Sequence, residues 1–238
     1  MSADRPTRRA RQPKWLAESV WLALVWSLCA CTIGKRPVRL PPEDGVATVV
    51  LASMRLMPPL EQIARHPWFA VRERGATNWV RWEIWSSGAG GDWGYIAQRH
   101  ADPLEGDQVR VHGVLRGSRA ERFIACLERQ SARYEHRHRY IFWPGPNSNT
   151  YVDAMLRRCR FRAELPSTAV GKDYRGAIGA STTSGGTGVQ LETPVVGLRV
   201  GLKEGLQVHI LTLTFGIDFW PPALLLPVGE GRLGFADR

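Results

Sequence analysis

Cysteine is scarce in this sequence. Of its four copies, Cys29 and Cys31 sit in an apolar stretch near the start, which leaves only Cys126 and Cys159 for the rest of the chain. At most one disulfide is therefore on offer there, and 33 intervening positions leave open whether the two Cα atoms approach within bonding range. The alternative is a pair of buried thiols acting as small apolar residues. A surplus of charge is also missing beyond the N-terminal segment. Residues 1–40 hold eight of the 32 basic side chains and two of the 22 acidic ones, so the other 198 residues carry 24 basic and 20 acidic groups. That balance excludes the electrostatic footprint of a nucleic-acid-binding surface. No internal repeat occurs beyond a brief echo in VGLRVGLKEGL. The loop Gly185–Gly188 lacks the strand, spacing and lysine of a phosphate cradle. His136 and His138 would offer half a zinc site on one strand face, but Arg137 and Arg139 repel a cation and no third ligand is evident. Neither a metal nor a cofactor is expected.

What is present begins with one long hydrophobic run. Trp15 to Ile33 is nineteen residues with Glu18 as its single charge, and as a helix it would extend roughly 28 Å, about the thickness of a bilayer core. Five basic residues in the ten positions before it favour a cytoplasmic N-terminus. The expected layout is a basic cytoplasmic tail over 1–14, a transmembrane helix over 15–34, a proline-rich linker over 35–44 and a periplasmic α+β domain over 45–238. The localisation that follows is the inner membrane, single-pass, with the domain facing the periplasm. Two alternatives stand beside it: a cleaved lipoprotein signal with Cys31 as the lipidated residue, and a buried soluble helix, which would normally show the polar face this run lacks. With 44% hydrophobic and 23% charged residues the chain can build a core, and about 200 residues suit a single domain.

Within that domain Val46–Met54 reads as the first strand, and His66–Glu73 with Asn78–Trp85 as a hairpin in which Trp68 and Ala70 point inward and their neighbours outward. Gln108–Leu115 is a further strand. Ser118–Arg133 has helical spacing at Phe123, Ile124 and Leu127, and Ser118 with Glu121 matches a capping box. A short strand is expected at Arg139–Trp143, and a second helix near Ser148 with Tyr151, Val152, Met155 and Leu156 inward. Beyond residue 165 glycine-punctuated strands take over, with strong alternation from Gly197 to Phe219.

Four separated motifs carry a resemblance: HPWFAV at 66–71, WPGPNSNTY at 143–151, TAVGKDY at 168–174 and SGGTGVQ at 184–190. In this order they resemble an uncharacterised family of proteobacterial membrane-anchored proteins, over roughly residues 45–235. A second resemblance is to permuted papain-like domains, the peptidoglycan peptidases and lipid acyltransferases. These set a histidine on an early strand and a nucleophile in an Asn-Cys-x-x-Phe-like run opening a helix. Asn147-Ser148-Asn149-Thr150-Tyr151 is similar to that run, with Ser148 in place of cysteine, and His66 matches the base. The resemblance implies a permuted papain-like mixed domain with an antiparallel sheet.

Chemistry at these positions would be acyl transfer. A serine hydroxyl must lose its proton during attack, which calls for a base, His66, and a carboxylate to orient it, Glu83 on the returning hairpin strand. The helix start would support an oxyanion through its N–H groups or the Asn147 side chain. Asn149, Thr150, Lys172 and Asp173 would line the same cleft. Each reading has a plain counterpart: helix capping by the Asn/Ser/Thr run, a strand-end histidine, a solvated Glu83, and a surface ion pair between Lys172 and Asp173. The expected function is a membrane-anchored envelope protein hydrolysing or transferring an acyl or amide group of a lipid, lipoprotein or peptidoglycan component. The alternative is a non-catalytic envelope module binding in a degenerate papain-like groove.

Overall fold

β-Branched and aromatic runs broken by glycine and proline favour strands over helices among the described residues. The computed structural model describes residues 40–85 and 95–235. Its first half forms β1 (Thr48–Arg55), β2 (Arg65–Arg72), β3 (Val80–Trp85), β4 (Tyr95–His100) and β5 (Arg110–Arg116), an antiparallel sheet in the order β4-β3-β2-β1-β5. Two helices follow, α1 (Ser118–Ala132) and α2 (Ser148–Arg158).

Both helices cover one face of this sheet. Phe123, Ile124 and Leu127 of α1, and Tyr151, Val152, Met155 and Leu156 of α2, meet Val49, Leu51, Phe69 and Val71. Burying each such side chain stabilises the fold by about 1.5–3 kcal/mol. The two helices are joined by a hydrogen bond between the Ser131 and Tyr151 hydroxyls at 2.7 Å. They are also joined by a disulfide between Cys126 and Cys159, whose Cα atoms are 5.6 Å apart. The reading of two free thiols is thus corrected. On the opposite face Val50, Ala52, Trp68, Ala70 and Trp79 form a second cluster, roofed by connecting segments. The Trp68 indole donates to Pro103 O, Arg81 to Glu105 O, Arg65 to Gln108 O and Arg72 to Pro42 O. Every residue of β2 is buried as a result, and the outward, solvated half expected of this hairpin strand does not exist.

The C-terminal strands β6 (Gly179–Thr182), β7 (Gly188–Glu192), β8 (Val196–Gly201), β9 (Gly205–Ile210), β10 (Leu213–Phe219), β11 (Pro222–Leu225) and β12 (Arg232–Gly234) form a second antiparallel sheet, each paired with its sequence neighbour. Its polarity is inverted. Gln190, Glu192, Arg199, Gln207, His209 and Thr214 are buried, while the alternate positions, among them Leu191, Leu198, Val208 and Ile217, are exposed. In an ordinary two-sided antiparallel sheet the apolar set faces the core.

Several expectations are overturned. The described residues are mainly β, with two antiparallel sheets and two helices, in place of the mixed α+β papain-like domain; the glycine-punctuated tail builds a complete sheet of its own, which tips the balance to strand. Arg139–Trp143 is irregular and leads into Pro144 and Pro146, which have no N–H for a ladder. At α1 the N-cap is Gly117, without a side-chain cap, and Glu121 turns to Arg74 at 2.6 Å, so the Ser118–Glu121 capping box is not formed. His136 lies in a turn between the rings of Tyr134 and Tyr174. No helix among the described residues is long and apolar enough to cross a membrane, which corrects the single-pass inner-membrane localisation. The run assigned to that span, 15–34, lies outside the described residues, as do the tail and Cys31.

Candidate active site

The ladder between β2 and β3 is short: Phe69, Ala70 and Val71 pair with Trp82, Arg81 and Val80, and it stops there. Pro67, without an N–H, cannot extend it. Beyond that point the strands are bridged by side chains. His66 Nε2 lies 2.8 Å from Glu83 Oε2, and His66 Nδ1 lies 3.2 Å from the Ser148 hydroxyl at the start of α2. All three side chains are buried, Glu83 completely, with Ser148 4% and His66 6% exposed. Trp85 packs obliquely on the imidazole with ring centroids 5.3 Å apart.

Charge fixes the proton positions. Arg81 donates to Glu83 Oε2 at 3.1 Å, and Arg99 to Oε1 at 2.9 Å. Burial pushes the Glu83 carboxyl up, but the hydrogen bond from His66, with Arg99 and Arg81, outweighs burial and holds the group at about 2. An ionised carboxylate only accepts, so Nε2 of His66 carries the proton and donates it. Nδ1 is left as the acceptor for the Ser148 O–H. Tyr140 lies close enough to Ser148 for the two hydroxyls to influence each other, and burial raises its phenol above the usual range despite Ser148. A second pair, Ser53 with His112 at 2.8 Å, has the Arg65 guanidinium donating to the Ser53 hydroxyl. Burial, with Arg65 and Arg110, pushes His112 down to about 3 and keeps it neutral.

The helix start is built by capping. The Asn147 carbonyl side chain accepts from the N–H groups of Asn149 and Thr150, and the Thr150 hydroxyl accepts from the Asn147 N–H, a complete capping box. The Asn147 amide donates to Phe142 O and Val170 O, so both of its protons are committed and it cannot serve as the side-chain oxyanion donor. The Ser148 N–H takes no part in these bonds and lies beside its own hydroxyl. Asn149 donates to Val170 O at 2.8 Å and Thr150 to Gly171 O at 2.7 Å, tying α2 to the loop 166–174. Gly171 sits there at φ +89°, and a Cβ on it would run into the Asn147 side chain.

Lys172 and Asp173 are not at the surface and do not approach the Ser148 hydroxyl through any hydrogen bond in this network. Both are buried under the second sheet, where Lys172 pairs with Asp173 and donates to Thr214 at 2.9 Å, and Arg199 pairs with the same carboxylate. The expected surface ion pair is therefore corrected to a buried network. Asp173, Glu192 and His209 bring one donor atom each within 4.8 Å, close enough for a metal ion. Arg199 and Lys172 already neutralise this carboxylate cluster, and His209 Nδ1 is 2.6 Å from Glu192 while His209 Nε2, 3.5 Å from Asp173, makes no hydrogen bond.

Tyr140, Arg81 and Arg99 were not among the sequence candidates. Arg81 and Arg99 lie on strands as residues of ordinary surface type, and Tyr140 in an apparent apolar strand, so no local pattern marks them. The sequence profile of a family described as protein of unknown function (DUF3750) matches residues 46–174, a segment that contains Ser148, His66, Glu83 and Tyr140. No curated protein matches the chain, and no solved structure matches it.

Proposed function

We propose that this chain, which belongs to the DUF3750 family, is a serine-dependent hydrolase or transferase of acyl groups held in ester or amide linkage by a lipid, lipoprotein or peptidoglycan component. The carrying observation is the hydrogen-bonded series Ser148–His66–Glu83, with Ser148 opening a helix.

In the reaction Ser148 Oγ bonds to the substrate carbonyl carbon while its proton passes to His66 Nδ1. Glu83, held ionised by Arg81 and Arg99, keeps Nε2–H engaged and stabilises the imidazolium. The Ser148 N–H and the dipole of α2 support the oxyanion, with the Tyr140 phenol as a further donor. His66 then returns the proton to the leaving alcohol or amine as the carbonyl carbon–heteroatom bond breaks. Water, or an acceptor hydroxyl or amine, releases the acyl group from Ser148 by the same proton route.

The test is labelling with a fluorophosphonate probe. Wild type is expected to be labelled at Ser148, with labelling abolished in Ser148→Ala and reduced about a hundredfold or more in His66→Gln. Absence of labelling in the folded wild-type protein would sink the catalytic reading. The burial of Ser148 favours one other reading, a non-catalytic binding module in which the series is a buried brace; it predicts no labelling and a lower melting temperature for His66→Gln.

A further inference from the structure

The second sheet presents a face that nothing described covers. From β7 to β11 the outward positions are apolar without exception: Leu191, Leu198, Val208, Phe215, Ile217 and Leu224 are between 38% and 57% exposed. Strand spacing and rise make this face roughly 25 Å by 20 Å, about 500 Å² of flat area. It stands at the upper end of what a monomer leaves bare. At one end the turns carry Leu202 and Trp220, 82% and 71% exposed, and the N–H of Trp220 bonds to the carbonyl of Lys203, whose own side chain is exposed.

We propose that this face rests on the hydrocarbon boundary of a lipid surface, with Trp220 at the headgroup level and Lys203 against anionic headgroups. Charge complementarity favours lipid, since a face without charge matches a phase without charge, and the cation at its rim matches acidic headgroups. Protein interfaces of this size usually carry several hydrogen bonds, and these outward side chains can make none, save at the rim. The strands lie on the lipid and do not span it, because β7 to β11 have four to seven residues, against the nine to eleven or so that a membrane strand needs. The sheet is also open at β6 and β12. The inverted polarity follows: the ion-paired network faces the protein, where every charge finds a partner, and the apolar set faces outward.

The experiment is flotation of the full chain with phosphatidylcholine vesicles and with phosphatidylcholine–phosphatidylglycerol vesicles, beside sedimentation of the protein alone. Wild type is expected to float with both and more strongly with the anionic ones. Leu198→Glu/Ile217→Glu is expected to lose partitioning about tenfold or more, with unchanged circular dichroism. Lys203→Glu is expected to lose only the anionic increment. If the double variant misfolds, Leu202→Glu/Trp220→Ser at the exposed turns reads the same loss. The proposal is overturned if both double variants float as wild type does, as they would if residues 15–33 carried the lipid contact or covered the face. It is equally overturned if wild type fails to float and sediments as a dimer that the double variant dissociates, which would make the occupant a second copy.

Discussion

The guanidinium carbon of Arg81 lies 3.8 Å from the centroid of the Trp68 ring. The ring holds the cation from one side while its NH2 group donates to Glu83, so the carboxylate that orients His66 is itself positioned by a stacked arginine. Arg81→Lys keeps the charge and loses both the fork and the stack. Fluorophosphonate labelling of Ser148 is expected to slow about tenfold in this variant. With the hydrogen bond from Arg81 weakened Glu83 becomes easier to protonate, and the acid-unfolding midpoint of this variant is expected to lie at higher pH than that of wild type.

Acid should unfold the protein through Glu83. Its folded value of about 2 lies below the ordinary 4.5, so the stabilisation is complete above about 4.5 and disappears as pH falls towards 2. The shift corresponds to about 3 kcal/mol for this fully buried group. Denaturant midpoints recorded across that window should fall steeply for wild type and less steeply for Glu83→Gln. Parallel curves for the two proteins would contradict the assignment.

Local signals made part of this legible. Asn147, Ser148 and Thr150 follow a Pro-Gly-Pro turn and precede an apolar helical pattern, which is how a helix start is written, and α2 begins there. His66 and Glu83 fall on adjacent strands of a short hairpin, so their proximity follows from the pairing of β2 with β3. Long-range facts were out of reach. The burial of Lys172 and Asp173 depends on Arg199 and Thr214, which only the second sheet brings near. The alternation from Gly197 to Phe219 was plain, yet a period of two says nothing about which phase faces the protein, and here the polar phase does. At Ser118 a sound local motif lost to a competing partner, because Arg74 takes the Glu121 carboxylate.

Removing the disulfide is expected to lower stability without touching the relay. A closed loop of this length stabilises by about 3–4 kcal/mol on chain-entropy grounds. Cys126→Ala/Cys159→Ala should therefore shift the urea midpoint downward, while Ser148 labelling under native conditions stays within about twofold. The two cysteines lie on α1 and just past α2, far along the helix from its N-terminus.

The loop 166–174 gives a sharper prediction. Asn147→Ala deletes the cap and the amide bonds to Phe142 O and to Val170 O of the loop, and is expected to cost about 2 kcal/mol or more and to slow Ser148 labelling. Gly171→Ala keeps every hydrogen-bonding group but is strained by its positive φ and by the crowding Asn147. It should reproduce both the destabilisation and the loss of labelling. Thermal melts and probe kinetics on the two variants would show whether the loop and the helix start act as one unit.

The pairing order separates the chain into two kinds of assembly problem. In the second sheet each strand meets only its neighbour in sequence, whereas β1 in the first sheet must find β5 across three other strands. Low contact order lets the meander zip up quickly, and the distant closure of β1 on β5 is the slower search. The outward apolar surface therefore rests on local pairings alone, whereas the meeting of Ser148 with His66 spans 82 positions of sequence. On refolding from denaturant the surface is expected to form ahead of the relay, so that the chain is adhesive before it is reactive.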